Sequence, residues 1–258
     1  PDVEGLGLLC GALGDLLDDP AQDPAFVAEC LLPPDEVWLG ERIEAVDPVH
    51  LHAVREDLRA AIGGGLAAAL ERQLELLGGD DGSAVDARAR TRRRLKNVAL
   101  ALRMAHDPQV SAPRAFAQLP AARNMTDRLA ALTELVHHGI AGADDAAAAF
   151  QRSHAGDPLV LDKWLALHAG NPQPGTVQRV RALTAHESFS WRNPNKVRAL
   201  IGSFARNNRV AFHAADGDGY RLLSNAVLSV DRLNPQVAAR LVTAFNGFRR
   251  LEPQRRAL

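Results

Sequence analysis

Apolar residues recur along most of the chain at intervals of three and four, the spacing that lines one face of an α-helix. After Asp47-Pro48 the series Leu51, Val54, Leu58, Ile62, Leu66 and Leu70 predicts one long amphipathic helix reaching about Leu77. Gly63-Gly64-Gly65 interrupts it. Three glycines cost roughly 1 kcal/mol each against alanine in a helix interior, so this point is either a kink or a place where another helix comes close. Gly78 to Gly82 predicts the closing turn. Further periodic runs predict helices over about 84–106, 124–138, 143–153, 158–168, 175–184, 194–206, 218–230 and 235–249. No alternating pattern persists beyond a few residues, so no strand is predicted.

Helix starts are marked by an Asx-Pro pair at Asp23-Pro24, Asp47-Pro48, Asp107-Pro108, Asp157-Pro158, Asn193-Pro194 and Asn234-Pro235. The Asp or Asn side chain accepts a hydrogen bond from an amide that has no helical partner, and proline in the first turn loses no helical bond. Two of these starts belong to similar segments, Asn193 to Phe204 and Asn234 to Phe245, offset by 41 residues with Leu200/Leu241, Ile201/Val242 and Phe204/Phe245 in register. That period is near the one of HEAT and armadillo repeats, whereas the other Asx-Pro intervals vary. The expected fold is all-α, an irregular superhelix of stacked helix pairs, with residues 1–258 forming a single helical domain.

Composition agrees. Alanine supplies about a sixth of the 258 residues and aromatics only 5%, a balance that favours helices over sheets. Lys+Arg 30 against Asp+Glu 31 leaves a formal charge of -1, so no overall field draws the chain to nucleic acid or an anionic membrane. The longest stretch without Asp, Glu, Lys or Arg, Trp164 to Gln178, is 15 residues with two prolines, short of the roughly 20 apolar residues of a membrane span. Cys10 and Cys30 read as reduced core thiols, and a cytoplasmic location is the expectation. Pro1 in place of an initiating Met suggests a piece of a longer polypeptide.

Candidate chemistry is sparse. A zinc hydrolase helix needs His-Glu-x-x-His, but the single His-Glu pair, His186-Glu187, has Ser190 where the second histidine belongs, so a solvent-facing polar pair is expected there. His50 and His52, and His137 and His138, diverge on their helices. Asp216-Gly-Asp218-Gly opens like a calcium loop, but Tyr220 and Arg221 stand where a ligand and a glycine are needed, which leaves a turn into a helix. Asn124 reads as a helix cap with Asp127 in the first turn. The run Arg92-Arg93-Arg94 with Lys96 reads as a solvated face, with an RNA or partner contact as the alternative.

The last third resembles the C-terminal helical domain of the bacterial aminopeptidase N family, the alanyl aminopeptidases of the zinc gluzincin class. The residues that carry this are Asn193-Pro-Asn-Lys-Val-Arg-Ala-Leu-Ile-Gly-Ser-Phe204, Ala211-Phe-His213, Asp216-Gly-Asp-Gly-Tyr220 and Asn234-Pro-Gln-Val-Ala-Ala-Arg-Leu241. Weaker matches lie at Asp47-Pro48, Val54-Arg-Glu56, Asn124 to Asp127, Leu129 to Leu132 and Leu161 to Trp164, and the likeness extends over about Leu31 to Arg250. The resemblance implies a superhelix that packs over the active site of the preceding catalytic domains and encloses a chamber that peptides enter. It implies zinc in the parent enzyme and, in this chain, neither a metal site nor a catalytic residue. Two family arginines that face the chamber near the carboxyl side of the substrate fall on Arg198 and Arg240, which flank the Val197/Leu200/Ile201/Phe204 and Val237/Leu241/Phe245 stripes. The other reading of each is an arginine lying along a packing edge.

The resemblance therefore implies a C-terminal domain of a zinc aminopeptidase that walls the chamber and filters access. Its partners are the preceding catalytic domains and peptide substrates, with no nucleic acid and no membrane. Against the family the chain stops short of the expected terminal helices, so an apolar face is expected at Leu258. The rival reading is a stand-alone helical-repeat adaptor for a protein or peptide.

Overall fold

The computed structural model describes residues 3–78 and 84–258, and these form two compact units, one of residues 1–34 and 54–143, the other of 35–53 and 144–258. Among the described residues there is no strand, only a parallel bridge between Val46 and Leu251. All six Asx-Pro pairs start helices. Asp23, Asp107, Asp157, Asn193 and Asn234 each cap the helix that begins at the following proline, and Asp47 Oδ1 accepts the amides of Val49 and His50. Each cap is worth about 1 kcal/mol, so helix starts are encoded locally.

The first unit holds α1 (Val3–Asp18), α2 (Pro24–Cys30), most of α4 (Pro48–Gly65), α5 (Ala67–Gly78), α6 (Ala87–His106), α7 (Pro108–Ala121) and α8 (Met125–His137); α3 (Glu36–Gly40) belongs to the second unit. The predicted long helix is thus two helices that meet at Leu66. The hydrogen bonds Leu66 N to Ile62 O and Leu70 N to Leu66 O carry the backbone across the break. The reading of the three glycines as a place of close approach holds. A Cβ on Gly63 would stand 2.9 Å from the Leu102 carbonyl carbon and closer to its oxygen, and one on Gly65 would stand 2.6 Å from Cys10 Sγ. Cys10 and Cys30 are half-buried, not core, and burial pushes the Cys10 thiol pKa up. The start of α7 is marked by Asp107-Pro108, but no periodic run is predicted after it, because Pro113 and Pro120 lie inside it. The turn expected at Gly78 to Gly82 lies largely outside the described residues.

The basic run is not a free solvated face. Lys96 Nζ pairs with Asp127, whose exposure is only 2% and whose Oδ1 also accepts Asn97 Nδ2 at 2.8 Å. Arg94 pairs with Glu29, and Arg93 Nη1 donates to Ala84 O at 2.6 Å. A buried carboxylate is tolerated when it is paired and hydrogen-bonded, which is what these side chains supply.

The second unit holds α9 (Ala143–Ser153, from its second residue), α10 (Pro158–Ala169), α11 (Thr176–Leu183), α12 (Pro194–Val197), α13 (Ser203–Asn207), α14 (Arg209–Phe212), α15 (Asp218–Asp231), α16 (Pro235–Val242) and α17 (Pro253–Arg256). Trp164 on α10 is buried and donates from Nε1 to Ala147 O on α9 at 3.1 Å. His186 stacks 5.2 Å from the Trp164 ring and accepts the Ser188 amide at Nδ1. It is half-buried where a solvent-facing pair was expected, and only Glu187 faces out. The helix predicted over 235–249 ends at Val242 and continues as 3-10 turns at Thr243–Phe245 and Phe248–Arg250.

Candidate functional site

Lys196 anchors the segment that carries Arg198. Its ammonium donates to Pro158 O at 2.9 Å and pairs with Asp162 Oδ1 at 2.9 Å, so the start of α12 is tied to the start of α10. Val197, Leu200, Ile201 and Phe204 are then buried to 1% exposure or less. Between α12 and α13 the helix widens into a π turn, Arg198–Gly202, in which the Ser203 amide reaches back five residues to Arg198 O. Such turns shift the register of the side chains around them and are frequent at functional sites. Arg198 is exposed, and its Nη2 donates to Asn195 Oδ1 at 2.6 Å.

Arg240 stands in the last turn of α16, opposite the buried Ala238 and next to the buried Leu241, and is also exposed. Gly202 joins the two segments: a Cβ there would sit 3.6 Å from Arg198 Cγ and 4.0 Å from Leu241 Cδ2. Both repeat-equivalent phenylalanines converge on one ring, with Phe204 at 5.9 Å and Phe245 at 6.0 Å from Phe212. The two arginines thus flank buried faces of neighbouring segments, as their wheel positions predict. Among the described residues no carboxylate lies within ion-pair distance of either guanidinium. Such a group keeps its capacity to clamp an incoming carboxylate through two parallel N–H donors.

The Asp216 to Tyr220 stretch builds the neighbouring corner. Gly217 adopts a left-handed φ of 69°, Asp216 Oδ1 accepts the Asp218 amide at 2.9 Å, and Gly219 lets α15 approach the backbone of α14. A hydrogen bond from Arg221 holds the Asp218 carboxyl below the usual carboxylate range. The reading as a turn into a helix is correct. Tyr220 and His213 face each other, hydroxyl to Nδ1, at 2.8 Å. Burial drives the His213 pKa down to about 3, with the Arg209 and Arg255 charges adding to it, so the ring is neutral at ordinary pH. Arg255 donates from Nε to His213 O at 2.6 Å and pairs with Asp47 and Glu252. His213, Tyr220 and Arg255 line a cavity of about 660 Å³ with Arg206, Phe245 and Phe248; Arg198 and Arg240 lie outside it. Sequence reasoning missed Arg206 and Arg255, whose partners include backbone carbonyls distant in the chain, and the His213–Tyr220 pair, which spans the turn between two helices where periodicity says nothing about which side chains meet.

Among the described residues no group of three or more His, Cys, Asp or Glu could hold a metal ion, so the zinc implied by the resemblance is assigned to no residue here. Among the described residues, too, no helix is long and apolar enough to cross a membrane.

An all-helical chain in which one capped segment recurs 41 residues on has the character of a helical-repeat domain, and comparison with known proteins specifies which. Residues 6–258 match the family described as a domain of unknown function (DUF3458_C) with ARM repeats, and the chain belongs to that family. It is 40% identical over 258 residues to aminopeptidase N of Caulobacter vibrioides, covering 98% of this chain and 29% of that protein. It is 33% identical over 242 residues to aminopeptidase N of Escherichia coli, covering 93% of this chain and 27% of that protein. The crystal structure of Legionella pneumophila aminopeptidase A in complex with aspartic acid superimposes with a TM-score of 0.86 at 25% identity, over 98% of this chain and 33% of that one. The chain therefore spans about a third or less of the length of these relatives. It corresponds to the C-terminal helical domain of aminopeptidase N, as the motifs implied.

Proposed function

We propose that this chain is one helical domain of a longer, zinc-dependent aminopeptidase that removes N-terminal residues from peptides. In this reading it lies beside the catalytic domains, walls the chamber where peptides bind, and restricts what enters. Catalysis and the metal belong to the rest of the polypeptide. Arg198 and Arg240 receive the carboxylate end of the peptide. The observation that carries this is the pair of exposed guanidiniums that, among the described residues, have no carboxylate partner and stand on repeat-related segments lying side by side at Gly202 and Leu241.

A charged hydrogen bond is worth about 1.5–3 kcal/mol, or roughly tenfold or more in binding. In the longer enzyme, Arg198→Ala or Arg240→Ala is expected to lower kcat/KM on tripeptides with a free carboxylate by about tenfold. The loss on a small chromogenic amide, which has no such carboxylate, is expected to be much smaller. Steady-state kinetics on both substrates decide it, and equal losses on the two would remove the carboxylate contact. The adaptor reading has no observation of its own in the structure, and the extent of the match to a peptidase stands against it.

A further inference from the structure

We infer that Arg206 is a positioning residue that holds Arg240 in register with Arg198. The inference rests on the reading of Arg198 and Arg240 as the carboxylate clamp. Arg206 Nη2 donates to Arg240 O at 3.1 Å and lies 3.4 Å from Thr243 Oγ1. The Thr243 hydroxyl donates to the same Arg240 carbonyl at 2.6 Å. That carbonyl sits where α16 tightens into the 3-10 turn Thr243–Phe245, at the helix end that leaves carbonyl groups without helical partners. A cation placed there also meets the negative end of the helix dipole. Arg206 therefore closes the turn on which Arg240 stands.

The other end of the tether gives it its effect. Arg206 is on α13, which continues without interruption from the π turn that begins at Arg198. Its backbone is fixed by Phe204 and Ala205, both buried, and Gly202 on the same run meets Leu241, the residue after Arg240. One continuous segment thus carries Arg198 and, through the Arg206 side chain, grips the Arg240 turn, with Gly202 lying near Leu241. Beyond Val242 the turn is held on its inner side by Phe245, which packs against Phe212 and Tyr220, while Val242, Thr243 and Asn246 are exposed, so Arg206 is the side chain that ties down its outer side. The device is not a repeat feature: 41 residues on from Arg206 the chain has Gly247.

A bidentate clamp depends on geometry at the level of an ångström, whereas a helix-end cation contributes only about 0.3–1 kcal/mol to stability. Arg206→Ala should therefore leave the Tm of the chain within about 3 °C of its starting value while loosening the clamp. In the longer enzyme it is expected to raise KM for free-carboxylate tripeptides about three- to fivefold, with a smaller effect on kcat and on the chromogenic amide. The double variant R206A/R240A should match R240A within about twofold, because Arg206 acts through Arg240. Arg206→Lys, which keeps one donor and the charge, should recover part of the loss. Equal effects of R206A on peptide and amide, or losses that multiply in the double variant, overturn the inference. An R240A enzyme with normal peptide kinetics would overturn the underlying reading as well; R240A impaired beside R206A unimpaired overturns the inference alone.

Discussion

Replacing Gly219 by alanine is expected to lower the Tm of the chain by about 6–12 °C, the equivalent of roughly 3 kcal/mol in a chain of this size. A Cβ at this position would stand 2.6 Å from Ala211 O and 2.7 Å from Phe212 Cα, and closer still to Phe212 O. All three neighbours are backbone atoms of α14, so no side chain can turn aside, and α15 must move as a body. That movement would disturb Leu222 and Leu223 and the contact between Tyr220 and His213. Gly63→Ala poses the same problem in the other unit, against Leu102. Gly202→Ala is the control. Its nearest atoms lie at 3.6 Å and beyond, so alanine there should leave the Tm unchanged or raise it slightly through helix propensity. Thermal unfolding by circular dichroism measures all three, and a Gly219→Ala chain as stable as the starting protein would refute the close approach.

Below neutral pH the second unit should lose stability through His213. The ring is 6% exposed, and burial, then Arg209, then Arg255, depress its pKa from 6.5 to about 3. The unfolded chain binds a proton near pH 6.5 and the folded chain does not until about pH 3, so protonation favours unfolding in that window. The contribution is complete above pH 6.5 and declines as the pH falls toward 3, by at most about 1.4 kcal/mol per pH unit. Between pH 6.5 and 5, before most carboxylates titrate, the loss should approach about 2 kcal/mol. His213→Asn keeps a polar atom near the Tyr220 hydroxyl and cannot take up the proton. Denaturant unfolding at a series of pH values should show a steeper acid slope in the parent chain than in the variant. Parallel slopes would mean that His213 is already protonated, or exposed, at pH 5.

Helix beginnings were legible in the sequence because a cap is a contact over two or three residues. Asp23, Asp107, Asp157, Asn193 and Asn234 bond amides two or three positions ahead, and nothing distant is needed. Periodicity placed Leu200, Ile201 and Phe204 in the core and put Arg198 and Arg240 at its edge for the same reason. Where a local rule met a local exception the reading failed: Pro113 and Pro120 concealed the body of α7 though its start at Asp107-Pro108 was marked, and the helix begun at Pro235 tightened after Val242.

Partners across the chain were another matter. Lys96 looked like a member of a solvated basic run until folding set it on Asp127, 31 residues away. Nothing in the sequence singles out Arg206 among the 30 basic residues, since its partners are the Arg240 carbonyl, 34 residues on, and the Thr243 hydroxyl. His213 is an ordinary histidine by sequence, and only enclosure by α15 and α17 makes it one that stays neutral to about pH 3. By itself, then, the sequence determined the all-helical class, the helix starts, the repeat and the family, because caps, periodicity and motifs are properties of short windows. The tertiary structure alone decided which glycines lie against neighbouring backbone and which cations are spent on internal partners. Those outcomes depend on distances between atoms that the chain brings together only by folding.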